Sequence, residues 1–443
     1  MTQIAFLTLF LGLTLGPQTV ELTVTGPASA VEILLDGAPV GRLTGPPWKG
    51  TIDFGPALQP HELVARALDE DGGEIARVRQ WVNLPRPPAE VELVVENGPE
   101  GRPQAVRYAW QSLTGEAPSA IDITLDGRPL VPEPGNRVRL PATDPATVHV
   151  LSVQLTFYGA LVARRDLAFG GDLGEEVSTE LTAVLVRLKK GQTLPPPARL
   201  RGWFLQHGKP LPVVAVEEGP AQLLVVRGAG VAKVLAPLAI GGNRAGVSIE
   251  DLSPDLVEDR SRELPLGAGD QIGFIWPQAK ASTGNGAPTE LFDASRLYDT
   301  GGRGVLWHLV NVVQEGGRGP QRLADAVAVA ALLALYKNQR RAILLVFDDR
   351  DTDASRSDAA LVRGYLESIR VPLAVWTPGR GKGPAAAAWG RVEAVGTMKE
   401  MRAAFERLKE NLDAQRIIWV GGRHLPQSIT LSPEAAAVVE LAR

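Results

Sequence analysis

The sequence contains two copies of one pattern, and this repeat is the strongest constraint on how the chain can fold. Residues 31–43 read VEILLDGAPVGRL, and residues 121–133 read IDITLDGRPLVPE. Each copy alternates apolar and polar residues, turns at Asp-Gly, and carries a proline two residues beyond the glycine. Asp-Gly between alternating segments is a strong signal of a β-hairpin. The chain therefore predicts two hairpins of the same design.

Two further stretches match in the same order, which indicates that a larger unit is duplicated. Residues 61–77 read HELVARALDEDGGEIAR, and residues 149–164 read HVLSVQLTFYGALVAR. Each unit is short, rich in strand-forming residues and broken by Gly and Pro, which favours two tandem immunoglobulin-like β-sandwiches. His61 and His149 are equivalent in the two copies, which favours a structural role at the start of a strand.

The composition is that of a folded protein with more than one core. A chain of 443 residues with 44% hydrophobic and 22% charged residues predicts roughly two to four domains. The net charge of -4 gives no electrostatic case for a nucleic-acid partner. The chain has no cysteine, which excludes disulfides, zinc-thiolate sites and cysteine nucleophiles.

The N-terminal segment predicts export. Ile4 to Gly16 contains no charged residue, and it is shorter than a membrane span but long enough for the apolar region of a signal peptide. No Lys or Arg precedes it, and the alternative is a first β-strand that starts at Met1. We expect a periplasmic or secreted protein without a membrane span.

The apolar pattern changes near Ala221. Apolar strand candidates that begin at residues 222, 271, 342, 373 and 416 now alternate with helical stretches. Such alternation predicts a parallel sheet that helices cover on both faces. One helical stretch, AVAVAALLALY, is apolar on nearly every side, which predicts a buried helix.

Proline-rich stretches mark the predicted domain boundaries. LPRPPAE separates the two repeated units, and KKGQTLPPPARL follows the second; both are expected to be stiff connectors. In chain order, the predicted parts are a signal peptide over residues 1–18, a first immunoglobulin-like β-sandwich over 19–85, a second over 86–190, a linker with short strands over 191–220, and an α/β domain over 221–443.

The second half resembles a von Willebrand factor A domain, in particular that of bacterial VWFA-related proteins in which β-rich modules precede the A domain. The stretches that carry the resemblance are LLVVRGAGV (223–231), LPLGAGDQIGFIW (264–276), DTGGRGVLWHL (299–309), RRAILLVFDDRDTDASR (340–356) and VPLAVWTPG (371–379). The resemblance implies a Rossmann-like, three-layer α/β domain of the A type, so the expected fold class is a multidomain β plus α/β protein.

The resemblance also implies a metal-ion-dependent adhesion site, and this sequence departs from it. In the family, aspartate, serine and threonine oxygens at the strand ends hold a divalent cation, which requires a cage of oxygen ligands. Here only the last aspartate remains, at Asp349, or at Asp348 if the register slips by one residue. The site is therefore expected to be degenerate, with no metal and no cofactor. We expect the positions that correspond to the adhesion site to form a partner-binding edge. They are Arg227, Ala229, Val231, Arg303 (or Gly304), Asp348 and Asp349.

The acidic stretch that follows the strand near residue 347 leaves two interpretations open. Asp349, Asp351 and Asp353 are spaced like the start of a calcium loop, but Ala354 and Ala360 stand where an EF-hand needs Gly and Glu. The alternative is a solvated loop that caps a helix through Asp353 or Ser355.

A further hypothesis places a guanidinium where the family has its cation. In it, Arg227 or Arg303 pairs with Asp349, since the guanidinium fork matches a carboxylate.

No catalytic constellation is present in the sequence. The five histidines are far apart, and no G-x-S-x-G nucleophile motif occurs. We therefore expect no enzyme. The predicted function is that of an exported protein-interaction protein whose A-type domain binds other proteins without a metal. The alternative is a divalent-cation-dependent ligand-binding protein that uses Asp349 and its acidic neighbours.

Overall fold

The structure is a computed structural model that describes residues 2–10, 12–85, 89–98, 103–112, 117–144, 147–157, 161–170, 181–240, 262–280, 292–312, 317–348, 350–381 and 383–442. The chain divides into two compact units. The first contains Met1–Pro85, Glu218–Gln415 and Ala442–Arg443, and the second contains Arg86–Glu217 and Arg416–Leu441. No helix in the described ranges is long and apolar enough to cross a membrane.

The first unit begins with a β-sandwich whose two sheets share one apolar core. One sheet has the order β1-β2-β5 and the other the order β4-β3-β6-β7. Val20, Ile33 and Leu63 lie in the core between them and are fully buried. The strands are β1 (Gln3–Phe6), β2 (Pro17–Thr25), β3 (Ala30–Leu35), β4 (Ala38–Leu43), β5 (Lys49–Asp53), β6 (His61–Leu68) and β7 (Glu74–Val82).

Strand β1 lies inside the segment predicted as a signal peptide. It pairs antiparallel with β2, from Gln3 opposite Thr25 to Phe6 opposite Leu22. Phe6 and Phe10 also pack on the core of the sandwich. The structure therefore has a strand where the sequence allowed either a strand or a signal peptide, and cleavage of residues 1–18 stays a prediction.

The second sandwich, which lies in the second unit, repeats the topology of the first. Its sheets have the orders β8-β9-β12 and β11-β10-β13-β14, which match the first sandwich strand for strand. The predicted pair of β-sandwiches is thereby confirmed. The strands are β8 (Ala89–Asn97), β9 (Pro103–Ser112), β10 (Ala120–Leu125), β11 (Arg128–Leu130), β12 (Arg137–Arg139), β13 (His149–Phe157) and β14 (Leu161–Phe169).

The two Asp-Gly sequences form the predicted hairpin turns. Asp36 and Gly37 have φ values of 52° and 83°, and Asp126 and Gly127 have values of 50° and 76°. A two-residue type I′ turn needs positive φ at both positions, which Asp and Gly tolerate better than other residues. The turns join β3 to β4 and β10 to β11.

The repeated histidines fix these turns in both sandwiches. His61 Nδ1 donates to Asp36 Oδ2, and His149 Nδ1 donates to Asp126 Oδ2, each at 2.7 Å. The residue after each histidine donates its backbone N–H to the other carboxylate oxygen, at 2.8 and 2.9 Å. The structural role expected for the two histidines is thereby confirmed.

The second unit continues with four strands that end where the α/β part of the chain begins. They are β15 (Leu181–Leu188), β16 (Phe204–Gln206), β17 (Lys209–Pro210) and β18 (Val213–Glu217). The turn between β16 and β17 has His207 and Gly208 at φ values of 49° and 77°, so it repeats the geometry of the two Asp-Gly turns.

The α/β part of the first unit is built on a mixed sheet of the order β22-β20-β19-β25-β26-β27, in which β23 also pairs with β20. Strands β20, β19, β25, β26 and β27 run parallel. The strands are β19 (Ala221–Arg227), β20 (Gln271–Trp276), β21 (Ala279–Lys280), β22 (Asp293–Ala294), β23 (Tyr298–Asp299), β24 (Gly317–Arg318), β25 (Arg340–Val346), β26 (Leu373–Thr377) and β27 (Glu393–Ala394). The helices are α1 (Val231–Ile240), α2 (Val305–Asn311), α3 (Leu323–Leu335), α4 (Ala359–Ser368), α5 (Pro384–Trp389) and α6 (Met398–Asp413).

Helices pack on both faces of this sheet, because alternate strand residues point to opposite sides. On one face, Leu224 and Ile343 share an apolar cluster with α3, α4 and α5. On the other, Val225 and Leu344 share a cluster with α1, α2 and α6. Helix α3 is buried along most of its length, as its apolar sequence predicts.

The first sandwich shares the α3-α4 cluster, so it is packed onto the α/β part of its own unit. Leu13, Leu58 and Leu84 of the sandwich belong to that cluster. Tyr365 of α4, which is fully buried, donates its hydroxyl to the carbonyl oxygen of Asn83 at 2.8 Å. This joint connects segments that are far apart in sequence.

The last part of the chain returns to the second unit. Its elements are β28 (Gln415–Gly421), β29 (Ile429–Leu431), α7 (Pro433–Val438) and β30 (Val439–Leu441). They complete a sheet of the order β18-β28-β15-β30 and one of the order β17-β16-β29. The strand candidate that begins at Arg416 thus pairs antiparallel with β18, and its expected place in the parallel sheet is wrong. Residues 191–220, predicted as a linker with short strands, contribute β16, β17 and β18 to these sheets.

Candidate functional site

Four of the predicted site residues lie where the parallel strands end: Arg227, Ala229, Val231 and Asp348. Strands β20 and β25 flank β19 on opposite sides, so the strand order reverses at β19, and open α/β sheets place ligands at such a point. The turn after β19 touches the end of β25, since Gly228 donates its backbone N–H to the carbonyl of Val346 at 2.8 Å. We use the name strand-end cluster for Gly228, Ala229, Gln321, Asp348 and Asp351.

Arg227, the last residue of β19, is buried and bonds to the end of a helix. It is 3% exposed, and its Nη1 donates to the carbonyl of Leu309 in the last turn of α2 at 2.6 Å. Its guanidinium carbon lies 5.9 Å from the centroid of the Phe274 ring. A cation at the C-terminal carbonyls of a helix is stabilised by the helix dipole. Burial lowers the pKa of Arg227 to about 10, so the group is charged at neutral pH.

Ala229 contributes only its backbone to the site. Its N–H donates to Gln321 Oε1 at 2.9 Å, and Gln321 Nε2 donates to Asp351 Oδ1 at 2.8 Å. The other oxygen of Asp351 accepts the backbone N–H of Asp348 at 2.8 Å. These bonds form a continuous relay across the strand-end cluster, from the turn after β19 to the loop after β25.

Gly228 is the one position of the turn where a side chain does not fit. A Cβ added there would lie 2.6 Å from Asp351 Oδ2 and 3.2 Å from Gln321 Oε1. The Asp351 carboxylate therefore rests directly on the backbone of the turn. Val231, another predicted site residue, is the first residue of α1 and is fully buried in the apolar cluster.

Asp348 pairs with its sequence neighbour rather than with either predicted arginine. Its Oδ1 accepts the backbone N–H and the Nε of Arg350, each at 3.0 Å, and its Oδ2 accepts Nη2 of Arg350 at 3.1 Å. These bonds from Arg350 hold the pKa of Asp348 below its usual value, against the opposing effect of burial. Asp349 lies outside the described residues, so the predicted pairing of Arg227 or Arg303 with Asp349 stays a hypothesis.

Arg303 lies at the other end of the sheet from Arg227. Its loop follows β23, which pairs with the first two residues of β20, Gln271 and Ile272, whereas Arg227 ends β19. The Arg303 guanidinium is stacked 4.1 Å from the centroid of the Trp307 ring. The structure therefore does not bring the predicted positions together, and Gly304 follows Arg303 at the start of α2.

The acidic loop after β25 caps two helices. Asp353 caps α3, which precedes the loop in sequence, and Asp358 caps α4, which follows it. Both oxygens of Asp353 accept backbone N–H groups of α3, from Leu323 at 2.9 Å and Ala324 at 3.1 Å. The following helix, α4, is capped by Asp358, whose side chain accepts the N–H of Leu361. The expected cap by Asp353 therefore exists, but it acts on the preceding helix.

Among the described residues, the side chains at the strand ends do not form a cage for a divalent cation. Arg227, Ala229 and Val231 supply no side-chain oxygen, and the Asp351 oxygens are already hydrogen-bonded. In the described part of the chain, no group of three His, Asp or Glu side chains could hold a metal ion.

Sequence reasoning missed Gln321 and treated Asp351 only as a candidate calcium ligand. Gln321 lies between β24 and α3, just before a long apolar helix. Nothing in its local sequence indicates that it reaches Ala229. Its role depends on the packing of α3 beside β19, which brings segments 92 residues apart within hydrogen-bonding distance.

No known family profile matches the chain, and no curated protein matches its sequence. Among solved structures it is similar to the fibronectin(III)-like modules of Clostridium thermocellum CbhA, at 16% identity and a TM-score of 0.16 over 38% of this chain and 93% of that chain. It is also similar to the central fibronectin-III array of RIM-binding protein, at 12% identity and a TM-score of 0.20 over 44% and 81%. For a β-glycosidase from Bacteroides vulgatus the identity is 14% and the TM-score 0.20, over 38% of this chain and 24% of that chain. At these scores the likenesses carry no functional argument.

Proposed function

We propose that this chain is an exported, non-catalytic protein-interaction protein of bacterial type whose α/β part is a Rossmann-like, von Willebrand factor A-type domain that binds other proteins without a metal ion. The parallel sheet with helices on both faces supports the A-type assignment. The uncharged N-terminal stretch from Ile4 to Gly16 supports export.

The relay from Ala229 through Gln321 to Asp351 carries the proposal of metal-independent binding. A metal site at this point would need free oxygen ligands. The side-chain amide of Gln321 and the carboxylate of Asp351 lie there, and both are already hydrogen-bonded within the protein. Arg227 adds a buried positive charge to the same end of β19, which disfavours a nearby cation.

Four histidines support a non-catalytic function, because each bonds through a ring nitrogen to a structural partner: His61, His149, His308 and His424. His61 and His149 bond to the aspartates of the hairpin turns. His308 Nδ1 and the hydroxyl of Tyr298 are hydrogen-bonded at 3.1 Å, and His424 Nε2 bonds to the carbonyl of Gly421 at 2.9 Å. None of these pairs joins a histidine to a serine, threonine or cysteine, the nucleophiles that a histidine base activates for acyl transfer.

A capture experiment with the full chain tests the proposal. The immobilised protein is incubated with extract of its own organism, once with Mg²⁺ and once with EDTA, and the bound proteins are identified. We expect the same partner at the same yield in both conditions. Isothermal titration calorimetry of the chain with Mg²⁺, Mn²⁺ and Ca²⁺ is the companion measurement. Loss of the partner in EDTA, together with micromolar cation binding, would instead establish the alternative, a cation-dependent ligand site built on Asp349 and its acidic neighbours.

A further inference from the structure

The chain contains three Asp-Gly bonds, at residues 36–37, 71–72 and 126–127. Such bonds are prone to isomerisation, because glycine has no side chain to hinder its nitrogen. The glycine nitrogen attacks the aspartate Cγ, the carboxyl OH and the amide proton leave as water, and a succinimide ring forms. Water then opens the ring at the other carbonyl and gives isoaspartate, so the mass is unchanged and water is the only co-reactant. The reaction requires a carboxyl group that is free to turn toward the glycine nitrogen.

In the two repeated hairpin turns, the carboxylate is not free to turn. Both oxygens of Asp36 accept hydrogen bonds from β6, from His61 Nδ1 at 2.7 Å and from the backbone N–H of Glu62 at 2.8 Å. The backbone N–H of Asp36 in turn donates to the carbonyl of Glu62 at 2.9 Å. Asp126 makes the corresponding three bonds to β13. Each carboxylate must therefore break two hydrogen bonds before it can react.

The histidine rings that hold these carboxylates are themselves fixed by packing. His61 is 3% exposed, and its ring centroid lies 5.7 Å from that of Phe54. The His149 ring lies at the same distance from Phe169, and its Nε2 bonds to the carbonyl of Asp144 at 3.0 Å. We use the name histidine clamp for each pair, His61 with Asp36 and His149 with Asp126.

The third Asp-Gly bond lies at the exposed tip of the hairpin between β6 and β7. Asp71 and Gly72 are both exposed, and the Asp71 carboxylate has no hydrogen bond or ion pair to any residue that the structure describes. The tip is closed by Asp69 instead, whose Oδ1 accepts the backbone N–H of Gly73 at 2.7 Å. The Gly72 N–H makes only a long bond, of 3.2 Å, to the carbonyl of Asp69. The side chain of Asp71 can thus turn without disturbing the hairpin.

We propose that Asp71–Gly72 is a modification site, at which the folded chain converts aspartate to isoaspartate, and that the histidine clamps protect the other two Asp-Gly bonds from the same reaction. The longer backbone of isoaspartate fits an exposed tip, where the chain tolerates change. At residue 36 or 126 it would disrupt a type I′ turn that needs two residues with positive φ. This inference is independent of the proposed function, and it gives His61 and His149 a chemical role in addition to their structural one.

Ageing of the full chain at neutral pH, well below its melting temperature, tests the inference. Three synthetic peptides with the same Asp-Gly sequences are aged beside it, since they show the rate of each bond without the fold. Digestion with an endoproteinase that cleaves before aspartate but not before isoaspartate, followed by mass spectrometry, measures each site. We expect Asp71 to react nearly as fast in the chain as in its peptide. Asp36 and Asp126 should react roughly 30-fold more slowly than in theirs, because two hydrogen bonds of ordinary net strength must break first.

Two matched variants test the clamp itself. His149→Ala removes one of the two bonds to the Asp126 carboxylate, so isomerisation at Asp126 should become roughly fivefold faster, with no change at Asp36. Val153→Ala destabilises the same sandwich by opening its core but leaves the clamp in place, and it should not accelerate the reaction at Asp126.

Three outcomes would overturn the inference. The first is a slowing at Asp71, relative to its peptide, as strong as that at Asp36 and Asp126. The second is the absence of any slowing at Asp36 and Asp126. The third is an unchanged rate at Asp126 in a His149→Ala variant whose circular dichroism shows that it is folded. If that variant does not fold, the comparison of the unsubstituted chain with the three peptides still decides.

Discussion

Removing one hydroxyl group at the joint between the first sandwich and the α/β part should destabilise the first unit. In Tyr365→Phe the ring keeps its place in the apolar cluster, and only the 2.8 Å hydrogen bond to the carbonyl of Asn83 is lost. Tyr365 is fully buried and Asn83 is 2% exposed, so water has little access to the carbonyl that loses its donor.

The expected loss of stability follows from that burial. A buried acceptor left without its partner costs about 1–3 kcal/mol. With a central value of about 2 kcal/mol, the melting temperature of a unit of this size falls by roughly 4–8 °C. Differential scanning calorimetry is suited to the measurement, because it separates the transitions of a chain with more than one unit. The control is Tyr336→Phe, whose ring is 48% exposed and whose change should be small.

The same variant has a second signature at alkaline pH. Burial raises the pKa of Tyr365, so above pH 10 the unfolded chain releases the phenolic proton while the folded chain retains it. The folded state then loses up to about 1.4 kcal/mol of stability per pH unit from this group, and Tyr365→Phe lacks that loss. Two results would refute a stabilising role of this hydrogen bond at the joint. One is an unchanged melting temperature of Tyr365→Phe at pH 7. The other is a loss of stability per pH unit above pH 10 that is as large in Tyr365→Phe as in the unsubstituted protein.

Three further perturbations test the site and the histidines. Gly228→Ala should destabilise by about 1–3 kcal/mol in urea unfolding, because its Cβ meets a carboxylate at 2.6 Å, whereas Gly219→Ala, with nothing within 4 Å, should not. Burial lowers the pKa of His308, so the urea midpoint should fall as the pH drops below 6.5, where the unfolded chain gains a proton first; a constant midpoint would contradict this. For His149, burial is outweighed by the bond to Asp126, and the pKa is raised. Its stabilisation should be complete below pH 6.5 and lost as the pH rises through the folded pKa, and an NMR titration should show a lower pKa in Asp126→Asn.

The parts of the fold that were predictable depend on short-range physics. Asp36-Gly37 and Asp126-Gly127 specify type I′ turns by themselves, because few other residue pairs tolerate positive φ twice in succession. Because the same pattern occurs in both copies, the prediction for one sandwich supports the prediction for the other. The structural role of His61 and His149 could be predicted in this way, since the two residues are equivalent in the repeat. Continuous apolar stretches likewise predicted the central parallel strands.

The parts that were not predictable depend on partners that are distant in sequence. Strand β16 is three residues long and pairs with β29, with Phe204 opposite Leu431. No local pattern in so short a strand specifies a partner from the far end of the chain. For the same reason the strand at Arg416, which is as apolar as the central strands, was assigned to the wrong sheet.

The site was only partly predictable, because a similar loop sequence does not guarantee the same position. The stretch DTGGRG was matched to a loop of the family, but β23 pairs with the start of β20, which places Arg303 away from the strand ends. The sequence predicted the correct edge for Ala229. Its contact there is made by its backbone N–H, which donates to Gln321, and a pattern of side chains cannot predict such a bond. Gln321 and Asp351 bond across that edge. Their contact depends on the packing of α3 against the sheet, so the sequence alone could not predict it.

The buried guanidinium of Arg227 is kept in place by favourable contacts that offset the cost of burying its charge. A pKa lowered from 12.5 to about 10 means that keeping the buried guanidinium charged costs about 3 kcal/mol. The charge-assisted bond to the carbonyl of Leu309 contributes about 1.5–3 kcal/mol in return, and the Phe274 ring contributes up to about 2 kcal/mol. These opposing contributions are of similar size, so arginine at 227 is compatible with the fold without being strongly favoured by it. An aspartate there is too short to reach the carbonyl of Leu309, so that carbonyl would lose the donor that Arg227 supplies, and a negative charge would be buried near the C-terminal end of a helix. Arg227→Asp should therefore destabilise the first unit, because the carbonyl of Leu309 loses this donor and a carboxylate replaces a buried guanidinium.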